Sequence, residues 1–120
     1  MKYLLMIYAN QDTFAGLAPE EIDRLIADTE AYQAELKANG EWLVAYGVAD
    51  QVNCKTVTTR SGDTLVTDGP YIEAKEYLGS LDIIDCESMA RAVEIAAGVP
   101  FARYGSVEIR PLMDESASNE

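Results

Sequence analysis

Histidine is absent from this sequence. That removes the commonest metal ligand and the one side chain that titrates near neutrality unaided, so a general acid or base here must be a carboxylate, a lysine, a tyrosine or a cysteine. Cysteine is nearly absent too. Cys54 and Cys86 stand far apart, with no CxxC spacing and no second pair of ligands, so no metal site is expected. Basic residues are scarce: nine Lys and Arg face 21 Asp and Glu, a formal charge of −12. Affinity for nucleic acid comes mainly from Lys and Arg displacing condensed counterions, so direct nucleic-acid binding is not expected. No apolar run approaches a membrane span, and Met1 to Ala9 carries one Lys and a short apolar stretch that stops at Asn10-Gln11-Asp12, unlike a signal peptide. The reading is a cytoplasmic protein without membrane contact, its thiols reduced and acting as small apolar residues in buried strands. No GxGxxG follows a strand and no P-loop occurs, so no nucleotide, flavin or haem cofactor is expected.

What is present suits one α+β domain of 120 residues, 48% of them hydrophobic. Tyr3 to Tyr8 is a nearly continuous apolar run that reads as a central strand. After a loop from Asn10 to Ala18, Pro19-Glu20-Glu21 opens a helix. Its apolar positions Ile22, Leu25, Ile26, Thr29, Tyr32 and Leu36 recur every three or four residues until Asn39-Gly40 stops it. Trp42 to Ala49 reads as a second strand, with Gly47 a candidate bulge or close-approach point. Two alternating runs, Lys55 to Arg60 and Thr64 to Thr67, flank Ser61-Gly62-Asp63 and predict a hairpin. A strand over Leu78 to Asp85, a helix capped by Ser88 with Ala92, Val93, Ile95 and Ala96 as its apolar content, and a last strand from Ser106 to Leu112 complete the domain.

Without the hairpin the order is β-α-β-β-α-β, the split arrangement of a ferredoxin-like sandwich. Two helices cover one sheet face and leave the other bare, which predicts a homodimer with sheets face to face. The domain is assigned to residues 1–113, and the acidic tail 114–120 is expected to be disordered.

One stretch is dense in special residues: Thr67-Asp68-Gly69-Pro70-Tyr71-Ile72-Glu73-Ala74-Lys75-Glu76-Tyr77-Leu78-Gly79. Asp-Gly-Pro dictates a sharp backbone path, because Gly permits positive φ and Pro restricts the residue before it. As a site, Asp68 or Glu73 is the candidate acid or base, Lys75 or Arg110 would hold an anionic oxygen, and Tyr71 or Tyr77 would donate a hydrogen bond. As plain structure, Asp68 closes a turn, Lys75 pairs with a neighbouring Glu and the tyrosines pack.

This stretch, DGPYIEAKEYLGS, resembles the YCII-related family, and within it the branch named for its DGPF motif, whose run is close to DGPFxExKExLGG. Tyr71 replaces the usual Phe and Ser80 the second Gly. The start Lys2 to Tyr8 and the end Gly105 to Leu112 also resemble that branch. The resemblance implies a ferredoxin-like fold pairing into a dimeric α/β barrel. It also implies a link to enzymes, through a recurring His and Asp and a related dehydrochlorinase of a chlorinated hydroxyquinol. Without histidine, only the acid half of that pair, at Asp68, can be carried over. A further implication is an association with extracytoplasmic-function sigma factors.

Two functions follow from different classes. The first is a non-catalytic interaction or regulatory domain whose negative charge suits a basic protein partner such as a sigma factor. The second is a small-molecule-binding enzyme of the dimeric barrel type, performing carboxylate-based proton abstraction or elimination.

Overall fold

A computed structural model of the chain describes residues 1–72 and 76–114. Strand β1 (Lys2–Asn10) runs through the middle of the molecule. Period-two alternation sends Tyr3, Leu5, Ile7 and Ala9 into the core, all of them buried, and Leu4, Met6 and Tyr8 to the opposite face. β1 pairs antiparallel with β5 (Glu76–Asp85) on one side and β6 (Gly105–Pro111) on the other. β2 (Trp42–Gly47) adds to the far edge of β5, giving the order β2-β5-β1-β6. This is a ferredoxin-like α+β arrangement with an antiparallel sheet.

Helices α2 (Pro19–Ala38) and α3 (Met89–Gly98) cover the face that carries Leu5. Pro19 opens α2, and the Glu21 carboxylate accepts a hydrogen bond from the Ala18 amide at 3.4 Å. Ser88 caps α3 by accepting from the Arg91 amide at 3.1 Å. Leu36, Ala92, Ile95 and Ala96 meet Tyr3, Leu5, Ile7 and Ile84 in one apolar cluster. Across the helix pair, the Tyr32 hydroxyl donates to the Ile95 carbonyl at 2.7 Å. Arg91 ties α3 to the start of β2: its Nε and Nη2 both donate to the Glu41 carboxylate at 2.8 Å. That forked, charge-assisted pair holds the Glu41 carboxyl below its ordinary range. Trp42 packs against the core while Lys37 Nζ lies 4.6 Å above its ring.

Several local expectations change. Only part of the predicted apolar stripe of α2 is buried: Leu25 and Leu36 are, whereas Ile22 and Ile26 are exposed, as is Val93 on α3. The loop after β1 holds a short helix, α1 (Gln11–Ala15), capped by the Asn10 side chain. Phe14 anchors it by ring contacts with Phe101 and Tyr104, at centroid distances of 5.8 and 6.0 Å. The bulge in β2 falls between Trp42 and Val44, not at Gly47. Neither cysteine sits in a strand. Cys86 follows β5, buried, and burial pushes its thiol up; Cys54 precedes the hairpin, half-buried, and donates to the Gln51 carbonyl at 2.9 Å.

The hairpin of β3 (Lys55–Arg60) and β4 (Asp63–Asp68) forms its own two-stranded sheet. Ser61 and Gly62, both at positive φ, turn it, as a tight two-residue connection with right-handed strands requires. Every residue of β4 is exposed, among them Leu65 and Val66. The radius of gyration is 16.6 Å, against about 13.6 Å for a compact chain of this length. The acidic tail assigned to 114–120 lies outside the described residues beyond Asp114. Among the described residues, no helix is long and apolar enough to cross a membrane.

The closest backbone approach is at Gly105, where β6 enters the sheet: a Cβ there would overlap the Tyr8 carbonyl oxygen and lie 3.2 Å from the Ala9 Cα. Gly105→Ala should therefore destabilise the fold by about 1–3 kcal/mol or more, read as a lower urea midpoint at unchanged slope. Gly47→Ala, whose Cβ meets nothing within 4 Å, should shift stability by no more than about 0.5 kcal/mol. Equal midpoints for the two variants would contradict this packing.

Candidate functional site

Strand register decides which side chains share a space. In β5, Ile84 lies opposite Tyr3 and Asp82 opposite Leu5. Asp82 therefore faces the helices, while Leu81 and Ile83 face the other way. Its other neighbour across the sheet is Ala45 of β2, a residue too small to cover it. The segments around it leave a cavity of about 490 Å³ between sheet, α1 and α2.

Most of the lining is apolar. Ile7 and Ala9 form the floor from β1, and Phe14 and Phe101 come from the aromatic cluster that anchors α1. Thr29 and Gln33 of α2, with Ser80 and Asp50, bring polar groups. Thr29 is already engaged, since its hydroxyl donates to the Leu25 carbonyl at 2.7 Å. Asp50 accepts from the Val52 amide at 3.0 Å and caps the short 3₁₀ turn Gln51–Asn53. Asp82 differs: no described residue gives its carboxyl a hydrogen bond or an ion pair, and burial raises its pKa to about 6. A desolvated carboxyl with a pKa near neutrality, in an apolar cavity, has the properties of a group that gives or takes a proton. Among the described residues, no group of three or more metal-ligating side chains converges.

The residues singled out from sequence scatter. Asp68, at the end of β4, is highly exposed and bound to Lys55 Nζ at 2.6 Å; it clamps the base of the hairpin. The following Gly69 adopts φ +99° and donates its amide to the Cys54 carbonyl at 2.9 Å, which carries the pairing of the two hairpin segments one residue past Asp68. Tyr71 is exposed. Glu73 and Lys75 lie outside the described residues. Arg110 pairs with Glu108 at 2.7 Å and sits opposite Leu4, on the sheet face turned away from the cavity. Tyr77, opposite Ala9, lines the cavity. It also borders a second cavity of about 390 Å³ at the base of the hairpin, together with Cys54, Pro70 and Ile72. Asp82 and the Phe14–Phe101 wall escaped the sequence reading. The available signal was parity: in Leu81-Asp82-Ile83-Ile84, Asp82 falls in phase with core residue Ile84.

The sequence model of the YCII-related domain matches residues 1–116. An uncharacterised protein of Rhizobium meliloti (strain 1021) is 30% identical over 114 residues, covering 93% of this chain and 92% of that protein. Among solved structures, the chain resembles 5-chloro-2-hydroxyhydroquinone dehydrochlorinase from Burkholderia phenoliruptrix AC1100 in complex with 2,5-dihydroxybenzoquinone. The TM-score is 0.56 at 18% identity, over 97% of each chain, a likeness of fold.

The position of Asp82 has a pH signature. Its ordinary pKa of 3.8 describes the unfolded chain, and folding raises it to about 6. Below about pH 4 the carboxyl is neutral in both states. As pH rises the unfolded chain ionises first, so stability falls between about pH 4 and 6 and the full loss, roughly 2–3 kcal/mol, is present above that window. Asp82→Asn should remove this component, making the variant's advantage over the parent grow from about pH 4.5 to about pH 7 in urea unfolding. A difference constant with pH would contradict the desolvated placement.

Proposed function

Because the chain belongs to the YCII-related domain family, we propose that it is a small-molecule enzyme whose substrate enters the cavity between sheet and helices and exchanges a proton with Asp82. The observation that carries this reading is a desolvated carboxyl, unpartnered among the described residues and with a pKa of about 6, on the wall of a largely apolar cavity. The reaction class is proton abstraction or elimination at a small ring compound, with Tyr77 available at the cavity edge as a hydrogen-bond donor. The likeness to a dehydrochlorinase solved with a six-membered ring ligand agrees with the size of the space. Asp82 takes the acid/base role first considered for Asp68, whose carboxylate is committed to Lys55.

In the same reading the chain belongs to the DGPF branch, and its Asp-Gly-Pro run acts through architecture, bringing the hairpin back to the strand that carries Tyr77 and Asp82. A regulatory domain that seats a basic partner such as a sigma factor has the net charge in its favour. The enzyme reading has a specific group in a specific space and is ranked first.

We also propose that the chain pairs through the sheet face away from the helices, as in a dimeric α/β barrel. Leu4, Met6, Leu81 and Ile83 share that face by register. Its edge carries the mutually neutralised pair Glu108 and Arg110. For chains of charge −12, an apolar face with balanced charge is where two copies can approach with least repulsion.

Two experiments test these readings. Deuterium incorporation from D₂O into cyclohexanone and its amino analogue N-methyl-4-piperidone, followed by mass spectrometry, should be accelerated by the protein and slowed about 100-fold or more by Asp82→Asn; equal rates for variant and parent would remove the catalytic assignment. Native mass spectrometry should find twice the chain mass of 13.1 kDa, and Leu81→Lys should halve it. A monomeric parent would refute the pairing.

A further inference from the structure

The charge character of the cavity narrows what it binds. Asp82 and Asp50 line it, and no Lys or Arg does among the described residues. Four aromatic residues, Phe14, Tyr46, Tyr77 and Phe101, line the same space. The whole chain is acidic, with a formal charge of −12. Asp82 is half-buried and desolvated, and a carboxyl so placed, without a hydrogen-bond or ion-pair partner among the described residues, is electrostatically incomplete. Aromatic faces attract positive charge through their quadrupole, most strongly where water is excluded. The field of an acidic protein also steers cations toward its clefts. An anionic ligand would meet the Asp82 carboxylate there, and a neutral one would leave Asp82 without a partner.

We propose that the ligand of this cavity is a small cyclic organic cation, such as an amidinium, a pyridinium or a protonated ring amine, stacked among Phe14, Phe101 and Tyr77 with Asp82 as its counter-ion. This rests on the cavity being the site and specifies its substrate class. The positive charge has a place in the chemistry as well, since a cationic nitrogen acidifies neighbouring C–H bonds toward a carboxylate base. Among the described residues, the groups that could compete for the ligand's charge are few. β1, α1, α2 and the 3₁₀ turn after α3 present Ile7, Ala9, Phe14, Thr29, Gln33 and Phe101, none of them ionisable. Besides Asp82, the ionisable lining residues among those described are Asp50, Tyr46 and Tyr77. The charge of Asp82 changes between mildly acidic and neutral pH.

Benzamidine, benzamide and benzoate are near-isosteres carrying positive, zero and negative charge, and they can be titrated into the ¹⁵N-labelled full chain by NMR. Benzamidine is expected to shift the amides of Phe14, Ala45 and Val99 with an affinity about tenfold or more above that of benzamide, and benzoate should bind weakest. Asp82→Asn should bring benzamidine down to the level of benzamide while leaving benzamide unchanged. In the parent protein the advantage of benzamidine should shrink from about pH 7.5 to about pH 5 as Asp82 takes up a proton, an arm that stands if the variant does not fold. Benzamide binding in the cavity as tightly as benzamidine would overturn the cationic preference and leave the cavity as the site. Benzamidine shifts spread over the outer face of α2 in place of the cavity would likewise overturn it. No cavity shifts with any probe would remove the preference and the site together, whereas loss of deuterium exchange alone would bear only on catalysis.

Discussion

The pairing of β1 with β5 at the centre of the sheet sets the parity on which everything else depends. Because side chains alternate with a period of two, one register places Tyr3, Leu5 and Ile7 with Ile84 under the helices and sends Leu4, Met6, Leu81 and Ile83 to the other face. A slip of one residue would exchange the two sets and expose the core. The same register carries Asp82 into the helix-covered layer, where the neighbouring Ala45 leaves room. The carboxylate is thus held in an apolar setting by the strongest structural constraint of the molecule, and its raised pKa is a consequence of that pairing.

Around this centre, two features keep the cavity from collapsing. α2 packs fully against the core through Leu36 and is tied to α3 by the Tyr32 hydroxyl, whereas Ile22 and Ile26 near its start are exposed. On the opposite side, Phe14 docks onto Phe101 and Tyr104 and holds α1 in place. Elements so placed hold a half-buried acid in position without a hydrogen-bond network of its own among the described residues.

The element order, the hairpin and the helix caps were legible in the sequence because each has a local cause: alternation, Ser61-Gly62 at a turn, Pro19 and Ser88 at helix starts. The site was less legible because its residues belong together only through register. The run from Asp68 to Lys75 drew attention by its special residues, yet Asp-Gly-Pro serves a turn and Asp68 a surface ion pair. Asp82 was hidden by its neighbours, since a single acid among apolar residues reads as a minor interruption until its phase with Ile84 is counted. α1 is too short to show a period, and the tight approach at Gly105 depends on Tyr8, nearly a hundred residues away.

The sequence has one tryptophan, and the fold gives it a telling position. Trp42 lies opposite Ile84 on the strand that carries Asp82, beneath the Lys37 ammonium, with its indole Nε1 buried and without a hydrogen-bond partner among the described residues. Its emission therefore arises from a single known place at the β2–β5 seam, next to the core. The molecule carries its own optical gauge, whose colour and intensity follow the integrity of that seam without any label.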